Sequence, residues 1–299
     1  MYTGRFAPSP TGPLHFGSLV TALASFLRAR QKKGRWLVRI EDLDPPREPR
    51  GATEIILGSL IAHGLDWDGD LSFQSKRSAH YQQAIEQLRL DGLVYPCTCS
   101  RKQIKDAGAK EGKDGLGLIY PGTCRHAPPT QSDSPGIRIR VNDEVIRFND
   151  LLQGPQEQNL SKASGDFLIR RRDGLFGYAL AVTVDDALQG ITEVIRGADL
   201  LTETPRHIYL SQKLGFTIPE YAHVGVALNP AGQKLSKQHG AKALDDSRPA
   251  QNLVAALRFL RLPVENEMSR MPVSEIIDWA IINFSLDATK GIESQRVNF

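Results

Sequence analysis

Gly4-Arg5-Phe6-Ala7-Pro8-Ser9-Pro10-Thr11-Gly12-Pro13-Leu14-His15-Phe16-Gly17 is the stretch on which the reading of this chain turns. Two prolines flank a serine, a Thr-Gly turn follows, and one residue separates a histidine from a glycine. Proline fixes φ, and glycine lets backbone approach a ligand closely. Directly afterwards Leu19, Leu23, Phe26 and Leu27 recur at helical spacing, and Gly34 ends that helix. The stretch is therefore a stiff loop between a first strand and a first helix. The unpaired N–H groups and positive dipole end of such a helix suit a phosphate.

Trp36 to Ile40 reads as a short buried strand that delivers Glu41, Asp42 and Asp44 at its C-terminal end. In open α/β sheets that edge is where ligands bind. The first fifty residues thus read as a β-loop-α-β unit with the loop and the acidic cluster facing one crevice. By chemistry alone the acids are equally a solvated strand end.

The 299 residues allow about two domains and a real core. At 40% apolar and 24% charged, the composition is that of an ordinary soluble protein. No apolar run approaches the ~20 residues of a membrane span. No basic segment followed by an apolar one opens the chain, so the expected location is the cytoplasm. A net charge of +3 permits nucleic-acid binding without indicating it. Three cysteines, two of them in Cys97-Thr98-Cys99, suit a metal better than disulfides.

Ala52 to His63 and Ala79 to Leu90 are two further helical stretches, with Asp66-Trp67-Asp68 as a loop between them. From Tyr95 the character changes. Cys97, Cys99 and Cys124 surround a polar, glycine-rich piece from Asp106 to Gly117 that reads as a surface loop. Ile137, Ile139 and Val141 alternate, Asn142-Asp143 turns, and Val145 to Phe148 returns, which predicts a hairpin. A second hairpin is predicted from Phe167 to Leu180 around Asp173-Gly174. A strand over Glu193 to Gly197 comes next, then a helix from Thr204 to Leu214. Leu253, Leu257 and Leu260, then Ile276, Ile277, Ala280 and Ile281, suggest two short helices near the end. No repeat or coiled-coil pattern is present.

Lys234-Leu235-Ser236-Lys237-Gln238 lies far downstream. Alone, such a pentamer is a solvated basic loop. Paired with Pro8-Ser9-Pro10-Thr11-Gly12-x-Leu14-His15-x-Gly17, it resembles the second of the two signatures of class I aminoacyl-tRNA synthetases, in their glutamyl form. Leucine replaces the family's methionine and Gln238 its final serine, while both lysines remain. Arg39-Ile40-Glu41-Asp42-Leu43-Asp44 also matches the family. The resemblance covers nearly the whole chain through the second signature.

The resemblance implies an α/β fold: a Rossmann-type parallel sheet split by a zinc-containing insertion, then a short helical C-terminal region. The expected divisions are residues 1–94 and 151–240 for the two halves of the catalytic domain, 95–150 for the insertion and 241–299 for the helical end. Glutamyl-tRNA synthetases continue into a large helical anticodon-binding region, for which sixty residues are too few. The expected relatives are therefore short family members that activate L-glutamate with ATP and no tRNA, then transfer it to queuosine at the wobble base of tRNA-Asp. Two rival expectations share the motifs. One is a minimal glutamyl-tRNA synthetase charging the tRNA 3′ end. The other is an inactive glutamate- or nucleotide-binding regulator, against which His15, Lys234 and Lys237 speak.

Activation asks the protein to position two anions and to stabilise phosphate charge. The resemblance implies His15, Lys234 and Lys237 for catalysis, with His15, Gly17 and Lys237 at ATP and Mg²⁺ screening the remaining charge. For glutamate it implies Arg5, Ser9, Glu41, Tyr178 and Arg196. Arg5 can pair bidentately with a carboxylate, and Glu41 can accept from the ammonium. By chemistry alone Arg196 reads as half of an ion pair with Asp185, Asp186 or Asp199, and Tyr178 as a core tyrosine. Cys97, Cys99 and Cys124 supply three thiolates where structural zinc takes four ligands. Chemistry nominates His126 as the fourth; the family's short members imply Tyr120. Three ordinary cysteines with no metal is the remaining reading. A monomer is expected, with the anticodon stem-loop of tRNA-Asp as partner.

Overall fold

The computed structural model describes residues 1–112, 116–129, 134–229, 231–235 and 242–297. Ser236, Lys237 and Gln238 of the second signature lie outside the described residues. Strand β1 (Thr3–Phe6), helix α1 (Phe16–Gln31) and strand β2 (Arg35–Ile40) form the expected β-loop-α-β unit, with β1 parallel to β2 and Arg5 opposite Leu37. After α2 (Ala52–Ala62), β3 (Ser72–Phe73) adds in parallel to β2, and α3 (Ser78–Leu90) succeeds it.

The next segment holds β4 (Val94–Cys97), α4 (Arg101–Asp106), α5 (Thr123–His126), β5 (Gly136–Ile139), β6 (Val145–Asp150), β7 (Gly154–Asn159), α6 (Leu160–Ala163) and β8 (Leu168–Arg170). The chain then runs through α7 (Tyr178–Leu188), β9 (Glu193–Gly197), α8 (Thr204–Leu214), β10 (Glu220–Val224) and β11 (Val226–Leu228). It ends with α9 (Pro249–Phe259), α10 (Val273–Asn283) and β12 (Ser294–Arg296), which pairs with β11.

Two parallel sets meet at the centre. β9 and β6 flank β10 in parallel, as β1 and β3 flank β2. β1 lies beside the start of β9, where Thr192 N donates to Thr3 O at 2.9 Å and Thr3 N to Thr192 Oγ1 at 3.0 Å. The order reverses between β1 and β9, so the crevice beyond their C-terminal ends is where an open α/β sheet binds its ligand.

Alternation along the strands sorts the side chains onto two faces. Trp36, Val38, Ile195, Ala222 and Val224 join the core under α1, α9 and α10. Leu37, Val194 and Tyr221 join the core under α3, α7 and α8. Arg5, Arg39, Arg196 and His223 occupy the same parity as this second set, which turns four polar side chains toward α7 and α8.

The first predicted hairpin is corrected and the second is shorter than expected. β5 does not return through β6; it is taken by β4 on one edge and β8 on the other, both antiparallel. β6 pairs instead with β7, and its last residue, Asp150, reaches β10. Strand β5 has both edges filled, so β6 must find another partner. Around Asp173-Gly174 the chain does turn, with Arg170 bridging Phe176, but Tyr178 opens a helix rather than a strand. Ala179, Leu180, Ala181, Val182 and Val184 are all buried there, more than one strand face could bury. No described helix is long and apolar enough to cross a membrane.

Candidate active site

The loop between β1 and α1 brings His15 to the N-cap of α1, where its Nδ1 accepts from Ser18 N at 3.2 Å. In the neutral ring this places the proton on Nε2, so the outer nitrogen is a donor. Glu41 N donates to Pro8 O at 3.0 Å, which ties the loop to the end of β2. A cavity of about 740 Å³ opens above these strand ends. Arg5, Ser9, His15, Gly17, Glu41, Tyr178, Arg196 and Lys234 all line it, so the expected site residues that are described converge on one space. Asp199, Leu200 and Leu235 complete the relevant wall.

The floor is a buried ion network. Arg5 donates Nε and Nη2 to Asp186 at 3.2 and 3.1 Å. Arg39 lies 2.8 Å from Asp186 and 3.3 Å from Glu41. Asp185, the neighbour on α7, accepts from Gln74 at 2.9 Å, Tyr81 at 2.7 Å and Arg77 at 2.5 Å. Burial pushes Asp186 up, but Arg5 and Arg39 outweigh it and hold the carboxyl well below its usual range. For Glu41 burial wins over Arg39 and Arg5, and its affinity for a proton is raised. The bidentate pair expected for Arg5 is thus made with Asp186.

Arg196 does not make the ion pair that chemistry alone would assign it. It is 3% exposed, and no carboxylate among the described residues pairs with it. Its Nε donates to His223 Nε2 at 3.0 Å, and its Nη2 to Leu200 O at 3.1 Å and Thr204 Oγ1 at 2.8 Å. Its Nη1 lies 3.5 Å from Tyr178 Oη. Tyr178 is not a core residue: it is 38% exposed at the wall of the cavity. Asp199 is engaged elsewhere, accepting from Lys234 Nζ at 2.6 Å. A buried guanidinium that no described carboxylate pairs with is costly to desolvate, and it can receive an anion.

Between β4 and α5, the sulfurs of Cys97, Cys99 and Cys124 lie within 4.8 Å of one another, and no described His, Asp or Glu joins them. Cys99 and Cys124 sulfurs are 3.4 Å apart. Tyr120 Oη sits 3.5 Å from Cys97 Sγ and 3.4 Å from Cys99 Sγ, and it accepts from Cys124 N at 2.8 Å. Sulfurs on one tetrahedral zinc ion, bonded at about 2.3 Å, are roughly 3.8 Å apart, so the donor set fits such an ion. Arg138 donates to Cys97 Sγ at 3.2 Å, and its guanidinium lies 3.8 Å over the Tyr120 ring.

Sequence reasoning missed Arg39, Asp150, His223 and Arg138, and it saw Asp186 only as one partner among three. One signal was available. Two adjacent aspartates inside the apolar run Ala179 to Leu188 demand buried cations.

Residues 2–290 match the family of class I tRNA synthetases (E and Q), catalytic domain, and the chain belongs to that family. Within it, the chain is 51% identical over 287 residues to the Glutamyl-Q tRNA(Asp) synthetase of Dechloromonas aromatica, covering 96% of this chain and 95% of that protein. It is 50% identical over 290 residues to the Glutamyl-Q tRNA(Asp) synthetase of Neisseria gonorrhoeae, covering 96% and 97%. Among solved structures, a glutamate tRNA ligase from Elizabethkingia meningosepticum in complex with its amino acid is similar at a TM-score of 0.83 and 25% identity, over 99% of this chain and 67% of that one.

Proposed function

We propose that this protein activates L-glutamate with ATP, without tRNA, and transfers the glutamyl group to queuosine at the wobble position of tRNA-Asp. The observation that carries the amino-acid assignment is Arg196, a buried cation at the wall of the cavity that no carboxylate among the described residues pairs with. It would take the side-chain carboxylate of glutamate, with Tyr178 and Arg5 beside it. Glu41 would accept from the ammonium, and Ser9 lies at the rim.

In the first step an α-carboxylate oxygen attacks the α-phosphorus of ATP, the bond to the bridging oxygen breaks, and pyrophosphate leaves. His15 Nε2, the N-terminus of α1, Lys234 and Lys237 would neutralise phosphate charge together with Mg²⁺, and Gly17 would admit the adenosine. In the second step a hydroxyl of the queuosine diol attacks the adenylate carbonyl, loses its proton, and AMP departs. Cys97, Cys99, Cys124 and Tyr120 would hold zinc, which when bound supplies a structural crosslink for the insertion.

The acceptor assignment is supported by the names of the two bacterial relatives. It is tested by offering labelled glutamate and ATP to unfractionated tRNA with and without queuosine. Label on queuosine-containing tRNA-Asp that survives prior enzymatic removal of the 3′-terminal adenosine supports it. Label on tRNA-Glu that this removal abolishes replaces it with a conventional charging reaction.

A further inference from the structure

We propose that His223, held by Asp150, is a positioning residue that aims the Arg196 guanidinium into the cavity without neutralising it. The proposal rests on the reading of Arg196 as the receptor of the substrate carboxylate.

His223 and Arg196 occupy paired register positions on the parallel strands β10 and β9. Both face α7 and α8, and His223 is 0% exposed. Asp150 stands at the end of β6, on the other side of β10. Its Oδ1 accepts three backbone N–H groups, from Leu152 at 3.0 Å, Gln153 at 2.9 Å and His223 at 3.1 Å. Its Oδ2 lies 2.6 Å from His223 Nδ1. A carboxylate can only accept, so Nδ1 carries the proton. In the neutral ring Nε2 is then an acceptor, and it meets the Nε–H of Arg196 at 3.0 Å. Burial, with the charge of Arg196 acting the same way, brings His223 down to about 4 against the pull of Asp150. The ring is therefore neutral near pH 7.

This arrangement separates direction from charge. A carboxylate placed directly on Arg196 would orient it equally well but would also compensate it, competing with the substrate. Here the acid stands one imidazole away. The ring passes on the hydrogen-bond geometry, and the guanidinium charge is left for the ligand. Thr204 Oγ1, itself 3.2 Å from His223 Nε2, and Leu200 O receive Nη2 and fix the plane of the guanidinium.

The test uses ATP–pyrophosphate exchange on the full chain. In Asp150→Asn the oxygen must stay with the three backbone N–H groups, so the amide nitrogen faces Nδ1 and reverses the tautomer. An N–H then opposes the N–H of Arg196. Asp150→Asn and His223→Leu are expected to raise the KM for glutamate roughly 10- to 100-fold, leaving the KM for ATP within about twofold. His223→Gln, which restores an acceptor, is expected to recover most of the loss. Ring ¹⁵N shifts of His223 are expected to report Nδ1–H in the native chain and Nε2–H in Asp150→Asn, a signature that a merely structural role would not produce. Arg196→Ala serves as the reference. If it leaves the glutamate KM unchanged, the reading of Arg196 fails and this proposal with it. If it raises that KM while Asp150→Asn reverses the tautomer without effect, the positioning role alone is overturned.

Discussion

Arg5 donates through Nε and Nη2 to the two oxygens of Asp186, at 3.2 and 3.1 Å, beneath the floor of the cavity. Arg39 shares that carboxylate at 2.8 Å. Asp186 therefore fixes the direction of Arg5 and offsets the mutual repulsion of two buried cations. Replacement by Asn keeps the shape and removes the charge. It is expected to cost about 3–5 kcal/mol of stability, because it leaves buried charge uncompensated. Urea unfolding at pH 7 measures this. A midpoint equal to that of the native chain would mean that water takes over from Asp186.

Lys234 is paired with Asp199 at 2.6 Å, half-exposed on both sides. Such a pair contributes at most about 1 kcal/mol to stability. It must open before Lys234 can reach a phosphate. Asp199→Ala is thus expected to leave the melting temperature unchanged and to lower the KM for ATP by up to roughly fivefold. An increase would show that Asp199 itself contacts substrate. Lys237→Ala is expected to abolish pyrophosphate exchange with the fold retained, and unchanged exchange would remove that lysine from the site.

Protein purified without chelator is expected to carry one zinc ion per chain. Cys97→Ser or Cys124→Ser should lose it. Tyr120→Phe should weaken retention against a competing chelator by an order of magnitude or more, whereas His126→Ala should not. The reverse ranking would restore His126 as the fourth ligand. Metal-free native protein would retire the site.

His223 also makes stability depend on pH. The unfolded chain protonates this histidine near the ordinary value of about 6.5, and the folded chain only near about 4. Between these values the unfolded state binds the extra proton. The contribution of the neutral ring is complete above pH 6.5 and is lost as pH falls toward 4, by roughly 3 kcal/mol. His63 and His207 are lowered in the same direction, chiefly by burial, so the native chain alone cannot isolate the effect. The difference between native chain and His223→Gln, unfolded in urea at pH 7 and pH 5, does so. Parallel pH dependence in the two proteins would show that folding leaves the proton affinity of His223 unshifted.

Local signals were legible in the residues because they are short in range. The stiff loop, the helix after it and the strand ending at Glu41 are each specified within a few positions. So is helix α8, whose bounds Thr204–Leu214 match the expected ones. The first predicted hairpin failed because strand pairing is not local: Asn142-Asp143 turns, but the partner of the segment after it depends on which sheet edges are already filled. The second turned back as expected around Asp173-Gly174, and only its far end differs, where a helix begins at Tyr178. At the cysteine cluster, spacing alone named three sulfurs and the resemblance named Tyr120; packing brings its hydroxyl among the sulfurs, and no described histidine joins them.

The sequence by itself determined the two signatures, the acidic end of β2 and the side-chain parity of each strand. It thereby determined which residue types could face one crevice. Tertiary structure alone decided their partners. Arg5 meets Asp186 across 181 positions, and Asp150 meets His223 across 73. Strand order and register set those meetings, and both are chosen by the packing of whole faces rather than by any local run of residues. Arg196 is the clearest case. Its sequence neighbours include an aspartate, yet the fold gives that aspartate to Lys234 and gives Arg196 the imidazole of His223.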